Sequence, residues 1–171
     1  MSDVYRTTRC FSASTARNPN CLGQFPNGFL KWCREMGWWG EKRCYLCAGA
    51  VADQDATTVD VRPQVSPTLL EDARKTSLPD ESFDWVMLDP PYSRDLARDL
   101  YDTEDSYAGI NAFTKEASRI AKSGGLILTL TYEIPKRLPG CDFIAVCGVY
   151  SIPATSYMRC FTVSRKRGEK E

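Results

Sequence analysis

Phe83-Asp84-Trp85-Val86-Met87-Leu88-Asp89-Pro90-Pro91-Tyr92-Ser93 decides how this chain is read. Residues 83–88 form a short, mostly apolar run of the kind that makes a buried strand, and the run stops at an acid followed by two prolines. Each proline fixes φ near −65° and removes a backbone donor, so the chain turns there and stays stiff. Two acceptors are thereby held in place, the Asp89 carboxylate and the Pro90 carbonyl, each able to accept a hydrogen bond from an N–H. Tyr92 adds an aromatic face on which a planar group can stack.

On either side, the pattern alternates between strands and turns or helices. Gln24-Phe25-Pro26-Asn27-Gly28 reads as a turn, and Phe29 to Met36 as a short helix ended by Gly37. Strands are expected at 43–47, 57–61 and, more weakly, 68–70. Residues 108–121 carry Ile110, Phe113, Ala117 and Ile120 on one helical stripe, stopped by Ser123-Gly124-Gly125. A fifth strand follows at 126–131, and two more at 143–150 and 157–163 read as a hairpin around Pro153. Strands alternating with turns and helices, with the conspicuous loops at strand carboxyl ends, predict an open α/β sheet with its ligands at those ends.

Bulk properties set bounds. The 171 residues suit one domain, with residues 1–23 a polar, loop-like segment, 24–163 the folded domain and 164–171 a frayed charged tail. The hydrophobic fraction, 43%, is ordinary for a globular protein. No apolar run reaches the ~20 residues of a membrane span, and the first residues lack a signal-peptide core, so a cytoplasmic protein is expected. The eight cysteines then read as reduced thiols. Cys44-x-x-Cys47 has the spacing of a zinc pair but lies in a strand-like run, where packing is the favoured reading; no metal is expected. There is no histidine, which removes the commonest general base and every imidazole metal ligand. Net charge is zero but unevenly placed. Residues 1–45 hold seven Lys/Arg and three Asp/Glu, residues 46–110 five and fourteen, and residues 111–171 ten and five. Basic ends could meet phosphates, while zero net charge argues against strong non-specific duplex binding.

Asp89-Pro90-Pro91-Tyr92 after such a strand resembles the catalytic loop of class I S-adenosylmethionine-dependent methyltransferases that methylate exocyclic amino groups of nucleobases. The resemblance spans roughly residues 24–163 and implies a single-domain Rossmann-like sheet, mostly parallel, with a C-terminal antiparallel hairpin. It implies that Cys47, Ala48 and Gly49 form the first cofactor loop, that Asp60 binds the ribose hydroxyls, and that Asp72 and Ala73 read the adenine of S-adenosylmethionine. Phe25 and Pro26 match, less closely, the element set against the cofactor's carboxylate. Asp89, Pro90, Pro91 and Tyr92 become the catalytic residues, and Tyr92, Ser93 and Tyr107 the substrate contacts.

Two departures stand out. Tyr45 and Val51 occupy places where the family has an acid and a further glycine, and only ten residues separate Gly49 from Asp60, so the first helix must be very short or replaced by a loop. The substrate implied is a nucleobase amine, adenine N6 ahead of cytosine N4 and guanine N2, in DNA ahead of RNA. The chain has no room for a target-recognition insert, so a protein partner for recognition is a further expectation. Two alternatives stay open: a non-catalytic methyltransferase-fold partner subunit, favoured by Tyr45 and Val51, and methylation of a small amine or free nucleotide.

Overall fold

The computed structural model describes residues 3–12, 25–101, 109–152 and 157–168. Eight strands build one sheet: β1 (Tyr5–Ser12), β2 (Arg43–Leu46), β3 (Thr57–Asp60), β4 (Leu69–Leu70), β5 (Phe83–Leu88), β6 (Ala121–Thr131), β7 (Cys141–Ile152) and β8 (Arg159–Lys166). Their spatial order is β1-β7-β8-β6-β5-β2-β3-β4. Every adjacent pair is parallel except those made by β8, which runs antiparallel to both β6 and β7. The α/β architecture and the antiparallel C-terminal pair are as expected; the turn around Pro153 lies outside the described residues.

The central strand is apolar on both faces because both are covered. Side chains alternate along it. Trp85 and Met87 join Tyr45, Leu128, Leu130 and Phe161 in one core, and Val86 and Leu88 join Cys44, Leu46 and Ile127 in the other. Helix α1 (Phe29–Glu35) seals the first core with Phe29, Trp32 and Cys33, spaced to fall on one helical face. It ends in a Schellman turn: the Gly37 N–H bonds the Arg34 carbonyl, the Trp38 N–H bonds the Cys33 carbonyl, and Gly37 sits at φ 72°, which glycine adopts without strain. Helix α2 (Arg94–Tyr101) follows β5. Helix α3 (Ile110–Ile120) seals the second core with Phe113, Ala117 and Ile120.

Three local readings change. Residues 5–12 were expected to be loop and instead form β1, an edge strand parallel to β7. The strand is polar and mostly exposed, with Phe11 its one buried residue, so backbone pairing rather than a buried face places it. The Ser-Gly-Gly stop after α3 becomes an irregularity inside the pairing of β5 with β6, where the register shifts between Phe83 and Trp85. Strand β8 continues to Lys166, whose ammonium caps the end of α3 through the carbonyls of Ser118 and Ala121.

The ten residues from Cys47 to Ala56 that join β2 to β3 contain no helix, as the short spacing required. Asp53 pins this loop across the sheet. It takes a two-armed ion pair from Arg43, at 2.8 and 2.9 Å, and a hydrogen bond from the Tyr45 hydroxyl at 3.0 Å. Tyr45 thus uses the place of the expected acid to hold an acid supplied by the loop.

Candidate active site

From β2 the chain steps outward through β3 and β4 on one side, then returns through β5 and β6 on the other. The point where strand order reverses lies between β2 and β5, and in open sheets the crevice outside the carboxyl ends there is the usual ligand site. The register fixes who meets there. Leu46 lies opposite both Val59 and Leu88, so the next residues of the three strands, Asp60, Cys47 and Asp89, line up across the crevice. Cys47 adopts φ 56° and Gly49 φ 55°, a left-handed turn that costs a cysteine more than a glycine. Burial pushes the Cys47 thiol well above its ordinary range, and the neighbouring carboxylates of Asp60, Asp89 and Asp72 add to the shift. Cys47, Asp60 and Asp89, all singled out from the sequence, therefore meet at the carboxyl ends of three adjacent strands, with Gly49 bonded to Asp60 and Asp72 close to Cys47.

The Asp89–Tyr92 loop follows directly from β5. Pro90 is buried and Pro91 half-buried. The Tyr92 hydroxyl donates to Asp89 Oδ1 at 2.8 Å. Arg159 Nη1 donates to the same hydroxyl at 3.2 Å, and Nη2 donates to the buried Ser151 Oγ at 2.8 Å. Asp89 Oδ2 takes no hydrogen bond among the described residues. Burial raises Asp89 to about 6, against the opposing pull of Arg159 and of the Tyr92 hydrogen bond. Tyr92 is itself raised, chiefly by burial and then by Asp89. Its ring packs on Tyr132, centroids 4.2 Å apart, and Tyr132 on the exposed Tyr157 at 5.9 Å, an aromatic row leading out of the crevice.

Arg159, Ser151, Tyr132 and Tyr157 were not singled out from the sequence. The available signal was an arginine opening an otherwise buried strand, Arg159-Cys160-Phe161-Thr162-Val163. Arg159 is 8% exposed, and its Nε is buried with no acceptor among the described residues. A buried donor left unmade costs about 1–3 kcal/mol, so this arginine is held there at a cost to the fold.

On the other side of the crevice, Asp60 is buried and its carboxylate is fully engaged. Oδ1 accepts from the Arg62 backbone N–H at 3.0 Å and from Arg62 Nε at 2.9 Å; Oδ2 accepts from the Gly49 N–H at 2.9 Å and from Arg62 Nη2 at 3.0 Å. Four bonds fill the acceptor capacity of a carboxylate. Asp72 repeats the pattern with Arg74, also two residues ahead, whose backbone N–H, Nε and Nη2 all reach it. Burial works to raise Asp72, but the Arg74 hydrogen bonds outweigh it and hold the acid below its usual range. The loop carrying Asp72 is tied to α3 by buried Glu116, which accepts from the Thr76 N–H and hydroxyl and pairs with Arg119.

The remaining expected residues separate. Ala48 and Ala73 are buried in opposite cores. Phe25 stacks on Phe29 and leans on Tyr45, and the buried Pro26 gives its carbonyl to the Phe29 N–H at the start of α1. Ser93 lends its carbonyl to the Ala97 N–H in α2. Tyr107 lies outside the described residues. Cys44 is buried in the core beneath α3, and among the described residues no group of three or more His, Cys, Asp or Glu could hold a metal.

Solved structures resemble this fold at low sequence identity. TrmN of Thermus thermophilus superposes with a TM-score of 0.52 at 14% identity, covering 80% of this chain and 47% of that protein. A 1,6-didemethyltoxoflavin-N1-methyltransferase of Burkholderia thailandensis, solved with bound 1,6-didemethyltoxoflavin and S-adenosylhomocysteine, gives 0.51 at 9% identity, covering 81% and 76%. The fold is the Rossmann-like methyltransferase fold. A SAM-dependent methyltransferase of Aquifex aeolicus, nearer in length, covers 80% of this chain and 88% of its own at 12% identity, with a TM-score of 0.46. No family model and no curated protein sequence matches the chain. Among the described residues, no helix is long and apolar enough to cross a membrane.

Proposed function

We propose that this protein is an S-adenosylmethionine-dependent methyltransferase acting on an exocyclic amino group of a nucleobase, adenine N6 first, in DNA ahead of RNA. The observation that carries the reading is the state of Asp89. It stands at the carboxyl end of the central strand, beside the switch point, with one oxygen held by Tyr92 and the other without a hydrogen bond among the described residues.

Such an amine is a poor nucleophile because its lone pair is delocalised into the ring. Asp89 Oδ2 and the Pro90 carbonyl accept its two N–H bonds, which favours a pyramidal nitrogen. Both acceptors are fixed before the reaction and face the positive charge that develops on that nitrogen. The Tyr92 ring, already packed on Tyr132, gives the base a surface to stack on. Asp89, with its carboxyl near 6, is an anion at neutral pH and can take the proton released at the end.

The donor set of the crevice suits a nucleoside cofactor: Asp60 for a ribose diol, Asp72 and the Ala73 backbone for an adenine edge, and the Cys47–Gly49 turn between them and Asp89. S-adenosylmethionine, when bound, supplies an electrophilic methyl. Asp60 can serve a diol only by exchanging Arg62 for it, since its four acceptor positions are filled. The same pairing favours a second reading, a methyltransferase-fold partner subunit that binds no cofactor.

The test is transfer from isotope-labelled S-adenosylmethionine to single-stranded DNA, duplex DNA, RNA and free nucleosides in parallel, with products digested and identified by mass spectrometry. Label in N6-methyladenine supports the reading; label in another base amine corrects the base. Label confined to free nucleosides makes the protein a small-molecule enzyme. No label, together with no cofactor binding in calorimetry, leaves the partner-subunit reading.

A further inference from the structure

Strand β8 runs against β6, so its first residue lies at the edge where β5 ends. That residue is Arg159, opposite Val149 of β7 and next to Cys160, which pairs with Thr131 of β6. From there its guanidinium spans two strands. One arm is anchored on Ser151 of β7 and the other reaches the hydroxyl of Tyr92, 67 residues away in sequence. A phenol has one proton to give. With Arg159 donating to the oxygen from one side, the proton is directed to the carboxylate on the other, and Asp89 Oδ1 receives it. We infer that Arg159 is the positioning residue of this site: it turns Tyr92 onto Asp89 and so leaves Asp89 Oδ2 as the open acceptor for the substrate amine.

The inference rests on the function proposed above for its catalytic consequence, but not for its geometry. Two features separate this role from ordinary packing. The arginine keeps a buried Nε with no acceptor among the described residues, which a residue selected only for stability would avoid. Its charge also faces the one carboxylate that the chemistry needs. The groups around Asp89 are Tyr92 from its own loop, Arg159 from β8 and the Cys47 thiol from the loop after β2, while Tyr132 faces Arg159 from the end of β6. Arg159 is the cation of this set. It opposes the burial that pushes Asp89 up to about 6, so without it Asp89 titrates higher and spends more of its time protonated at neutral pH. A protonated Asp89 is a donor and no longer an acceptor for the amine.

The experiment is a pH titration of carboxyl-¹³C-aspartate protein by NMR, with Asp89→Asn assigning the signal. It is run on wild type, Arg159→Met and Arg159→Lys, alongside kcat and KM for methyl transfer across pH. In Arg159→Met the Asp89 midpoint is expected to rise by on the order of one pH unit, a tenfold change in its protonation equilibrium. The acid limb of kcat should move with it, and KM should change less than kcat. Arg159→Lys restores the charge without the two-armed grip. Its Asp89 midpoint should return near the wild-type value while kcat stays lowered, and this variant decides the matter if the methionine variant does not fold. An unchanged midpoint in Arg159→Met, or wild-type kcat in Arg159→Lys, overturns the inference. If wild type transfers no methyl to any acceptor, the proposed function falls, and the carboxyl titration still decides what Arg159 does.

Discussion

Arg62 closes on Asp60 from two residues ahead, Nε 2.9 Å from one carboxylate oxygen and Nη2 3.0 Å from the other, and with two backbone N–H groups it fills every acceptor position of that acid. A ligand that needs Asp60 must therefore displace Arg62. Arg62→Met is expected to tighten S-adenosylhomocysteine binding by about tenfold, because ionic hydrogen bonds of about 1.5–3 kcal/mol no longer compete. Asp60→Ala should weaken it by about 1–3 kcal/mol. Isothermal titration calorimetry checks both, and unchanged affinity in Asp60→Ala removes that acid from the site.

Asp89 is predicted to support activity at the expense of stability. Its carboxyl is raised in the folded protein from an ordinary 3.8 to about 6, so the folded state binds a proton more tightly than the unfolded chain. The resulting penalty is absent below 3.8 and fully present above about 6. Asp89→Asn should therefore abolish methyl transfer yet stabilise the protein by about 2–3 kcal/mol at pH 8, with the gain vanishing near pH 3.5. Urea denaturation at the two pH values measures this. Wild-type transfer should fall as pH drops through about 6.

Tyr92 has two separable duties, the hydroxyl bridge to Asp89 and the ring packed on Tyr132. Tyr92→Phe keeps the ring and should lower kcat by about tenfold, the value of one charge-assisted hydrogen bond, with KM little changed. Tyr92→Ala should lower kcat further and raise KM as stacking is lost. Equal KM in the two variants would mean that the ring does not hold the substrate.

Glu116 ties the Asp72 loop to α3 through Thr76 and Arg119. Burial works to raise its carboxyl, but Arg119 and Thr76 outweigh that and hold it below 4.5. The folded value is the lower one, so the stabilisation is present above 4.5 and lost as pH falls through the folded value. Glu116→Ala should cost about 2–3 kcal/mol at pH 7 and progressively less in acid. A difference in urea midpoint that does not depend on pH would show that packing, not charge, accounts for the loss.

Much of the fold was legible because its signals are local. The apolar run 83–88 and its two prolines specify a strand with a rigid end whatever surrounds them. The helical stripe of Phe113, Ala117 and Ile120 specifies a buried face in the same way. Strand β1 was not legible, since Tyr5, Cys10 and Phe11 show no alternation and only the free edge of β7 gives the segment a partner. The Arg62 and Arg74 pairings stayed hidden although each partner is two residues away. Sequence names the charges, but whether they close on each other depends on how buried the acid becomes.

The sequence by itself determined an α/β sheet with Asp89-Pro90-Pro91-Tyr92 at the end of a central strand, because periodicity and proline stiffness act over a few residues. Only the tertiary structure decided how that loop is held and what competes for the crevice beside it. Arg159 reaches Tyr92 across 67 residues of chain because β8 runs antiparallel, and the row Asp60, Cys47, Asp89 exists because three parallel strands share a register. Strand direction and register come from pairing between distant segments, and burial from everything packed around them.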